Sequence, residues 1–475
     1  MNEDRMIDGG LGTALHYVGL ILQLFAILVA IPILIAIYFK DGLYMILSFA
    51  TVSIFSLTIG YILRKYTSPE ELDIRSAMVI SALIWLTLAA FGAVPFVLAG
   101  VLSPVDAVYE SMSGFTTTGH TMIVDFENLP ASIFFWRSLM QWVGGAGIIL
   151  LFIAILIHGV GGAAKRLYIA EGRTDRIEPS IIHTSRWIWK FYVVFTIIGI
   201  MLLFIAGMPL WDAINHSMTG IATGGFSIKD GGIAAYDCIA IETVISLTMI
   251  CGAIGFVLHK KWINRNFRDF IHNPEIKLMA FSILILTILL TVELGSNMRL
   301  ASFNVISALT GTGFSNVKCM AEWSDLSKIL LVIPMIMGGG YGSAAAGIKL
   351  IRCVIFLKSI GWLIKKYLLP QSAVVPLKVG GTVIKDDEIM MVGLYILIYL
   401  FVMVIGTLIL MMHGHPMIDS LFEVASAQGN VGLSIGLVGP GMALSEKITM
   451  VIVMWMGRLE IFPVLLLLTN MIKRP

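Results

Sequence analysis

Four loops in this sequence have a composition that could bind a cation through backbone carbonyl oxygens. We refer to them as glycine loops one to four. They are Thr116-Thr117-Thr118-Gly119, Ala222-Thr223-Gly224-Gly225, Thr310-Gly311-Thr312-Gly313 and Gly429-Asn430-Val431-Gly432. In all four, a Ser or Thr stands six residues before the last glycine and another two residues after it. Glycine permits backbone conformations that a Cβ would strain, and rings of carbonyl oxygens can replace the hydration shell of a cation. The pattern therefore predicts a carbonyl-lined cation site.

Close helix packing is the alternative explanation for these glycines, since small residues let membrane helices approach one another. One glycine could serve that purpose alone. Four glycines at matched positions in four loops favour the cation site.

A second candidate is the stretch from Gly338 to Gly347, called the Gly/Ala segment below. Eight of its ten residues are Gly or Ala, so a helix there is locally weak and can open into a loop. At membrane depth such a loop is tolerated where it lines a cavity. The residues that we expect to form this intramembrane loop include Gly338, Gly339, Gly340, Gly342, Ala345 and Gly347. Close helix packing is again the alternative, whereas a nucleotide site is disfavoured because no strand precedes the segment and Ile348 replaces the second Walker glycine.

A single cation, Arg458, lies inside an apolar stretch near the end of the chain. An ionised Arg near mid-bilayer costs about 2.5–3.5 kcal/mol, so its side chain must face the protein interior or water. Because Arg458 occupies the repeat position of Gly145 and Gly339, we expect it to point at the axis beneath the glycine loops. A structural anchor is the alternative. Glu460 lies two residues on, cannot share the same helix face, and is interpreted as an anchor.

Composition places the chain in the membrane. It has 475 residues, of which 58% are hydrophobic and 13% charged, with a mean hydropathy of +0.91. The net charge of +2 is dispersed over short loops and gives no basis for nucleic-acid binding. Four cysteines show no metal-ligand spacing, and the spans lack the convergent polar groups of an intramembrane enzyme.

Ten apolar stretches are long enough to cross a bilayer. They are Leu15–Phe39, Leu43–Leu63, Ile74–Ala99, Ile133–His158, Trp187–Ala206, Ile239–His259, Ile276–Leu294, Leu326–Leu357, Ile389–Met412 and Ile448–Met471. We expect the first to be retained as a span and not cleaved as a signal peptide. Lys and Arg concentrate in the connections of one side, which predicts that both termini are cytoplasmic.

The glycine loops belong to a fourfold repeat. Each repeat consists of a span, a short helix that enters from outside, a glycine loop and a second span. The predicted units are residues 1–70 as an N-terminal hairpin, then 71–177, 178–268, 269–385 with an interrupted second helix, and 386–475. Four short helices ending near the membrane centre would each place roughly half a negative charge there, which favours a cation. Asp106, Asp212 and Asp419 are expected to cap their outer ends. A transporter built from two inverted halves is disfavoured because the four units share one orientation.

The four glycine loops resemble the filter sequences of the Trk/Ktr/HKT superfamily, and the extra hairpin resembles its TrkH-like branch. The resemblance implies an all-α integral membrane protein with four covalently linked membrane-pore-membrane repeats around one pore. It implies potassium uptake, with K⁺ bound at all sixteen residues of the glycine loops and no organic cofactor. A sodium or non-selective monovalent cation transporter of the same superfamily is the alternative, although Gly119 stands where sodium-preferring relatives carry Ser.

The same resemblance implies a gate and partners. The gate would consist of the Gly/Ala segment as an intramembrane loop and Arg458 as a cationic barrier. Family members work with a TrkA-like cytoplasmic ring of nucleotide-binding subunits, and this chain would form a homodimer in the lipid bilayer. Its location would be the plasma membrane of a prokaryote.

Overall fold

The computed structural model describes most of the chain. The described residues are 3–69, 72–147, 150, 151, 153, 161–170, 180–318, 320–370, 373 and 375–472. The second part of the predicted span Ile133–His158 and the predicted unit boundaries near residues 70 and 177 lie largely outside them.

Within this range the chain is almost entirely helical, as expected. The helices are α1 Glu3–Phe39, α2 Leu43–Tyr66, α3 Ile74–Leu98, α4 Pro104–Phe115, α5 Ala131–Ala146, α6 Gly161–Ala170, α7 Ile181–Ile205, α8 Leu210–Ile221, α9 Ile239–Ala253, α10 Phe256–Ile263, α11 Phe267–Ile271, α12 Pro274–Glu293, α13 Met298–Thr310, α14 Asp325–Met337, α15 Leu350–Leu368, α16 Asp386–Met412, α17 Met417–Gln428, α18 Leu444–Arg458 and α19 Phe462–Ile472. A 3₁₀ turn covers Gly232–Ala235. Strands β1 Leu377–Val379 and β2 Thr382–Ile384 form an antiparallel hairpin in which Leu377 lies opposite Ile384.

Six described helices are long and apolar enough to cross a membrane unbroken. They are the part of α1 from Gly12 to Phe39, α2, α3, α7, α12 and α16. These are the two helices of the N-terminal hairpin and the first helix of each repeat. Many of their Leu, Ile and Phe side chains are exposed, including Leu34, Ile54, Phe204 and Leu397. Exposed apolar side chains at this density fit contact with lipid, because lipid tails are as apolar as Leu.

The second helix of each repeat is broken, whereas the sequence indicated a break only in that of the third repeat. Helix α5 ends at Ala146, before Gly147 with φ 96°. Helices α9 and α10 meet at 107°, and α18 and α19 meet at 119°. The last bend contains two successive left-handed residues, Glu460 and Ile461, which a continuous helix does not accommodate.

In the third repeat the break is a full loop, as the sequence predicted. Helix α14 ends at Met337 and α15 begins at Leu350. The ends of the intervening segment meet, because the amide of Ile348 donates to the carbonyl of Ile336 over 3.0 Å. The Gly/Ala segment is therefore an excursion from the helix that starts and finishes at one place.

The short helices α4, α8, α13 and α17 close the four repeats into a ring. Each packs against the first helix of its own repeat and against the second helix of the preceding repeat. Helix α5 contacts α8, α9 contacts α13, α14 contacts α17, and α18 of the last repeat contacts α4 of the first. The chain thus surrounds one axis with four covalently linked units.

The acidic residues at the outer ends of three short helices are not caps, contrary to expectation. Ser103 caps α4, while Pro209 and Pro416 precede α8 and α17 without a side-chain cap. Asp106, Asp212 and Asp419 lie in the first helical turn, where a carboxylate still interacts favourably with the helix dipole.

Two of these carboxylates instead pair with lysines of the preceding repeat. Asp106 lies 2.6 Å from Lys447, and Asp419 lies 2.8 Å from Lys328. Lys447 and Lys328 occupy the same position of α18 and α14, ten residues before Gly457 and Gly338.

The interface between the second and third repeats carries the opposite polarity. The third repeat lacks the opening Asp, and its Arg299 binds Glu242 of α9 with both nitrogen-oxygen distances between 2.8 and 3.0 Å. The lost aspartate is therefore replaced by a reversed ion pair. At the remaining interface Phe134 takes the lysine position, and Asp212 accepts from Tyr236 over 2.7 Å and lies 3.6 Å from Lys229, both of its own repeat.

Candidate functional site

The four glycine loops share one backbone conformation. The second residue of each has a left-handed φ of 59° at Thr117, 53° at Thr223, 67° at Gly311 and 49° at Asn430. The fourth has φ of 90° at Gly119, 74° at Gly225, 81° at Gly313 and 93° at Gly432. Three of the four residues at the second position carry a Cβ and are held there against their preference, the kind of strain that marks functional sites.

Each loop is held at its deep end by the helix that precedes it. The amide of the third loop residue donates to the carbonyl of the residue five before it, over 2.8 to 3.0 Å. The pairs are Thr118 to Ser113, Gly224 to Thr219, Thr312 to Ser307 and Val431 to Ser426. The acceptors are the Ser or Thr residues six before each glycine that the repeat singled out.

The glycines and carbonyls of neighbouring loops form a closed ring. A Cβ on Gly119 would overlap the carbonyl oxygen of Gly224 in the second loop. A Cβ on Gly225 would overlap that of Thr312, one on Gly313 that of Val431, and one on Gly432 that of Thr118. Every glycine thus adjoins the third residue of the next loop, and the fourth loop returns to the first. No larger residue fits at any of the four positions without displacing a carbonyl.

A cavity of about 430 Å³ has this ring among its walls. Gly119, Gly225, Gly313 and Gly432 all line it. The four fourth-position residues therefore meet one common space, although successive ones lie 88 to 119 positions apart in the chain.

Sequence analysis missed a second set of matched residues, nine positions before each glycine. These residues are Glu110, His216, Asn304 and Glu423, all fully buried. Each binds the segment that leaves its own loop. Glu110 accepts from the amide of Met122 over 2.7 Å, His216 contacts Ser227 over 3.0 Å, Asn304 donates to Asn316 over 2.8 Å, and Glu423 accepts from Ser434 over 2.7 Å. The signal that could have revealed them was a polar residue at the same position of all four repeats.

Side chains from one repeat also hold the loop of another. Gln141 of α5 donates to the carbonyl of Gly224 over 2.6 Å and accepts from the amide of Phe226 over 3.0 Å. Asn430 of the fourth loop donates to the hydroxyl of Thr118 over 2.8 Å. These bonds fix the relative heights of adjacent loops, which spacing along the chain cannot reveal.

A buried ion pair supports the first loop. Arg137 of α5 donates from Nε to Glu110 over 2.7 Å, and both side chains are almost fully enclosed. The same guanidinium donates to the carbonyl of Ser227 in the second repeat over 2.9 Å. Removing one partner of such a pair leaves a buried charge and typically costs about 3–5 kcal/mol.

The Gly/Ala segment lies at the deep end of the glycine loops. The side chain of Ala345 lies 3.8 Å from the position that a Cβ on Gly311 would take. Helix α9 holds the segment from the side, because Gly340 and Ala344 donate their amides to the carbonyls of Ala253 and Gly252 over 2.8 and 3.1 Å.

Arg458 joins three repeats at this depth. Its Nη1 donates to the carbonyl of Ala344 over 2.6 Å, and its Nη2 donates to the carbonyls of Gly144 and Gly145. The neighbouring Gly457 packs against the carbonyl of Gln428 at the base of the fourth loop. Glu460 lies in the bend after α18, with a left-handed φ of 55°, and pairs with Arg352 of α15.

A small cavity of about 30 Å³ lies between these elements. Ala345, Lys349 and Arg458 are among its lining residues. Such a volume holds about one water molecule. The buried side chain of Lys349, two residues after the Gly/Ala segment, donates to the carbonyl of Ala345, so a second cation contacts this segment. The sequence analysis did not single it out.

The arrangement offers a cation many oxygen atoms and little acid-base chemistry. Among the described residues no group of three or more His, Cys, Asp or Glu side chains is placed to hold a metal ion. Backbone carbonyls and hydroxyls dominate the ring, and a desolvated monovalent cation is the ligand such groups suit.

Comparison with known proteins agrees with this geometry. A family model described as "TrkH: Cation transport protein" matches residues 44–277 and 275–474. An uncharacterised cation transporter of Methanocaldococcus jannaschii is 36% identical over 96% of this chain and 95% of its own length. The Trk system potassium uptake protein TrkH of Escherichia coli K12 is 31% identical over 95% of this chain and 97% of its own. The crystal structure of the potassium transporter TrkH from Vibrio parahaemolyticus superposes with a TM-score of 0.85 at 30% identity, covering 98% of this chain and all of that one.

Proposed function

Because the chain belongs to the TrkH family of cation transport proteins and is a multi-pass membrane protein, we propose that it takes up potassium across the cell membrane along the axis enclosed by its four repeats. Relatives covering almost the whole chain carry the name potassium uptake protein. The proposal extends their substrate to this chain.

The observation that carries the proposal is the closed ring of glycines and carbonyls. Four loops with the same alternating left-handed residues meet around one cavity. Carbonyl oxygens presented in this way can replace the water around a potassium ion, with Gly119, Gly225, Gly313 and Gly432 providing the space. The short helices point their C-terminal ends, and thus partial negative charge, toward the same depth.

The gate in this proposal is the Gly/Ala segment together with Arg458. The segment lies beneath the ring, and Arg458 ties it to the first and fourth repeats by hydrogen bonds to carbonyls. Conduction would require the segment to move away and those bonds to break. Lys349 adds a second positive charge beside the small cavity that Arg458 and Glu460 also line.

Sodium or non-selective monovalent cation transport is the second candidate. It shares the whole architecture and differs only in the size and rigidity of the ring. Glycine at position 119 favours potassium, because a side chain there would displace the carbonyl of Gly224.

A flux measurement separates the two candidates. The purified chain is reconstituted in liposomes, and potassium, rubidium or sodium is added to the outside solution. The uptake of each ion into the liposomes is then followed. Potassium and rubidium uptake well above sodium uptake supports the proposal. Equal uptake of all three would identify a non-selective transporter, and no uptake of any would contradict transport by this chain alone.

The membrane location, the topology and the partners of the chain are proposed on the same basis. Basic residues cluster in the connections that follow the second helices, such as Lys261 and Arg268 near α11 and Lys378 in the β-hairpin. This bias favours cytoplasmic termini in a prokaryotic plasma membrane. We expect these connections to receive a TrkA-like nucleotide-binding ring, and we expect the chain to form a homodimer.

A further inference from the structure

An apolar groove of about 480 Å³ lies outside the pore, between the second and third repeats. Its walls come from α7, α9, α10 and α12, with Phe195, Ile250, Ile254, Met279 and Ile283 among the lining residues. The ring nitrogen of its one histidine, His259, is bonded to the carbonyl of Cys251 over 2.9 Å, which leaves the groove wall effectively apolar. The volume is in the range of small-molecule sites.

The residues beside the mouth of the groove are basic and aromatic, a composition typical of a membrane interface. Helix α10 leaves α9 at 107°, and Trp262 on α10 lines the groove and packs on Phe270 with ring centroids 5.0 Å apart. Between Phe256 and His272 the chain has four basic residues and one acidic residue. Arg265 and Arg268 are exposed, and Lys261 is half-buried. Tryptophan and basic side chains at this level are typical of the lipid headgroup region.

We propose that this groove binds an acyl chain of one anionic phospholipid from the inner leaflet, with its phosphate held by the basic residues at the mouth. The acyl chain fits the apolar walls, and the headgroup fits the surplus of positive charge. A neutral lipid would contact the apolar walls of the groove but would have no net charge to attract the basic residues at the mouth.

The groove shares a wall with the support of the Gly/Ala segment. Ile250 and Ile254 flank Gly252 and Ala253, whose carbonyls accept from Ala344 and Gly340. Just beyond them, the amide of Phe256 donates to the carbonyl of Gly342 over 3.3 Å. A lipid that packs against this stretch stabilises the closed position of the segment, so anionic lipid lowers basal flux. This second step rests on the proposed function, whereas binding of the lipid does not.

Lipid retention tests the site directly. The full chain is reconstituted in vesicles of phosphatidylcholine with or without phosphatidylglycerol, extracted, and weighed by native mass spectrometry to count retained phosphatidylglycerol. We expect one molecule per chain in the wild type. Ala280→Trp, which fills the groove, should abolish retention, whereas Phe281→Trp on the exposed side of the same helix should preserve it.

A charge variant keeps the test valid if the groove variant folds poorly. Lys261→Gln with Arg268→Gln removes one half-buried and one exposed charge and should weaken retention roughly thirtyfold, since each contributes about a factor of five near an anionic surface. Lys365→Gln with Lys366→Gln removes the same charge from α15 and should change nothing.

Flux in the same vesicles tests the coupling. Phosphatidylglycerol should lower wild-type rubidium flux several-fold, leave the Lys261/Arg268 variant unaffected, and leave Ala280→Trp low in both lipids. Enrichment of cations at an anionic surface would instead raise flux in every variant. Retention that is unchanged by Ala280→Trp and by the charge variant would overturn the site, as would a change from dimer to monomer in Ala280→Trp, which would identify a second copy as the occupant.

Discussion

The guanidinium of Arg458 donates to the carbonyl of Ala344 with Nη1 and O 2.6 Å apart. The two residues lie 114 positions apart and belong to the elements that we propose as the gate. Arg458 therefore acts both as a charge beneath the ring and as a tether of the Gly/Ala segment. These two roles make separable predictions.

Arg458→Ala should increase rubidium uptake several-fold and leave potassium over sodium selection nearly intact. A unit positive charge about 6 Å from a passing cation opposes it by about 3 kcal/mol at an effective dielectric constant of about 20. In the proposed mechanism, ion selection takes place at the ring above this point. Rubidium uptake and the detergent melting temperature should be measured on one preparation.

Arg458→Lys is the matched control, because it keeps the charge but cannot reach carbonyls on both sides with a planar fork. Uptake between the wild type and Arg458→Ala would indicate that charge and tether both contribute. Reduced uptake with a lowered melting temperature in Arg458→Ala would show instead that the residue is only an anchor.

Deletion of residues 339–345 should raise basal flux. The deleted residues form an excursion whose ends, Gly338 and Gly347, pack directly against each other, so the chain can be rejoined with little strain. Rubidium flux in liposomes and elution as a single species on size exclusion should be compared with the wild type. Rubidium flux equal to that of the wild type from a folded protein would mean that the segment only packs against its neighbours and does not gate the pore.

Gly119→Ser should lower the preference for potassium over sodium. The added Cβ overlaps the carbonyl of Gly224 and displaces an oxygen of the ring. Relative uptake of the two ions is the measurement.

Gly207→Ser is the control for backbone strain at a positive φ in this experiment. Gly207 has a φ of 97°, close to the 90° of Gly119, but a Cβ there meets no other atom within 4 Å. Loss of selectivity in both variants would assign the effect to backbone strain. Unchanged selectivity in Gly119→Ser with normal expression would exclude this loop from the filter.

Reversal of the ion pair between Lys328 and Asp419 should be tolerated. Lys328→Glu alone places two carboxylates together at a half-buried interface and should lower the melting temperature by several degrees. Adding Asp419→Arg should restore most of the loss, because Glu242 already pairs in this polarity at the preceding interface with Arg299, one position earlier in its repeat than Asp419. A double variant whose melting temperature is no higher than that of Lys328→Glu alone would mean that the helix dipole of α17 requires an acid at position 419.

Much of the fold could be predicted from local sequence. Hydrophobic length predicted the hairpin and the first helix of every repeat, matched spacing predicted the four glycine loops, and the Gly and Ala content of residues 338–347 predicted the break after Met337. These features depend on neighbours along the chain. The apolar composition of the remaining second helices gave no sign of a break, yet α9 and α10 meet at 107° and α18 and α19 at 119°.

The aspartates show the limit of the sequence most clearly. Asp106 and Asp419 suit a capping position by type and place, but they pair with Lys447 and Lys328 of other repeats. The matched polar residues nine before each glycine were visible as a column, although their partners were not. Sequence spacing specifies which residues share a helix face or a loop, because backbone periodicity is local. Which side chains meet between repeats depends on how four separate helices close around one axis, and only the tertiary structure decides that.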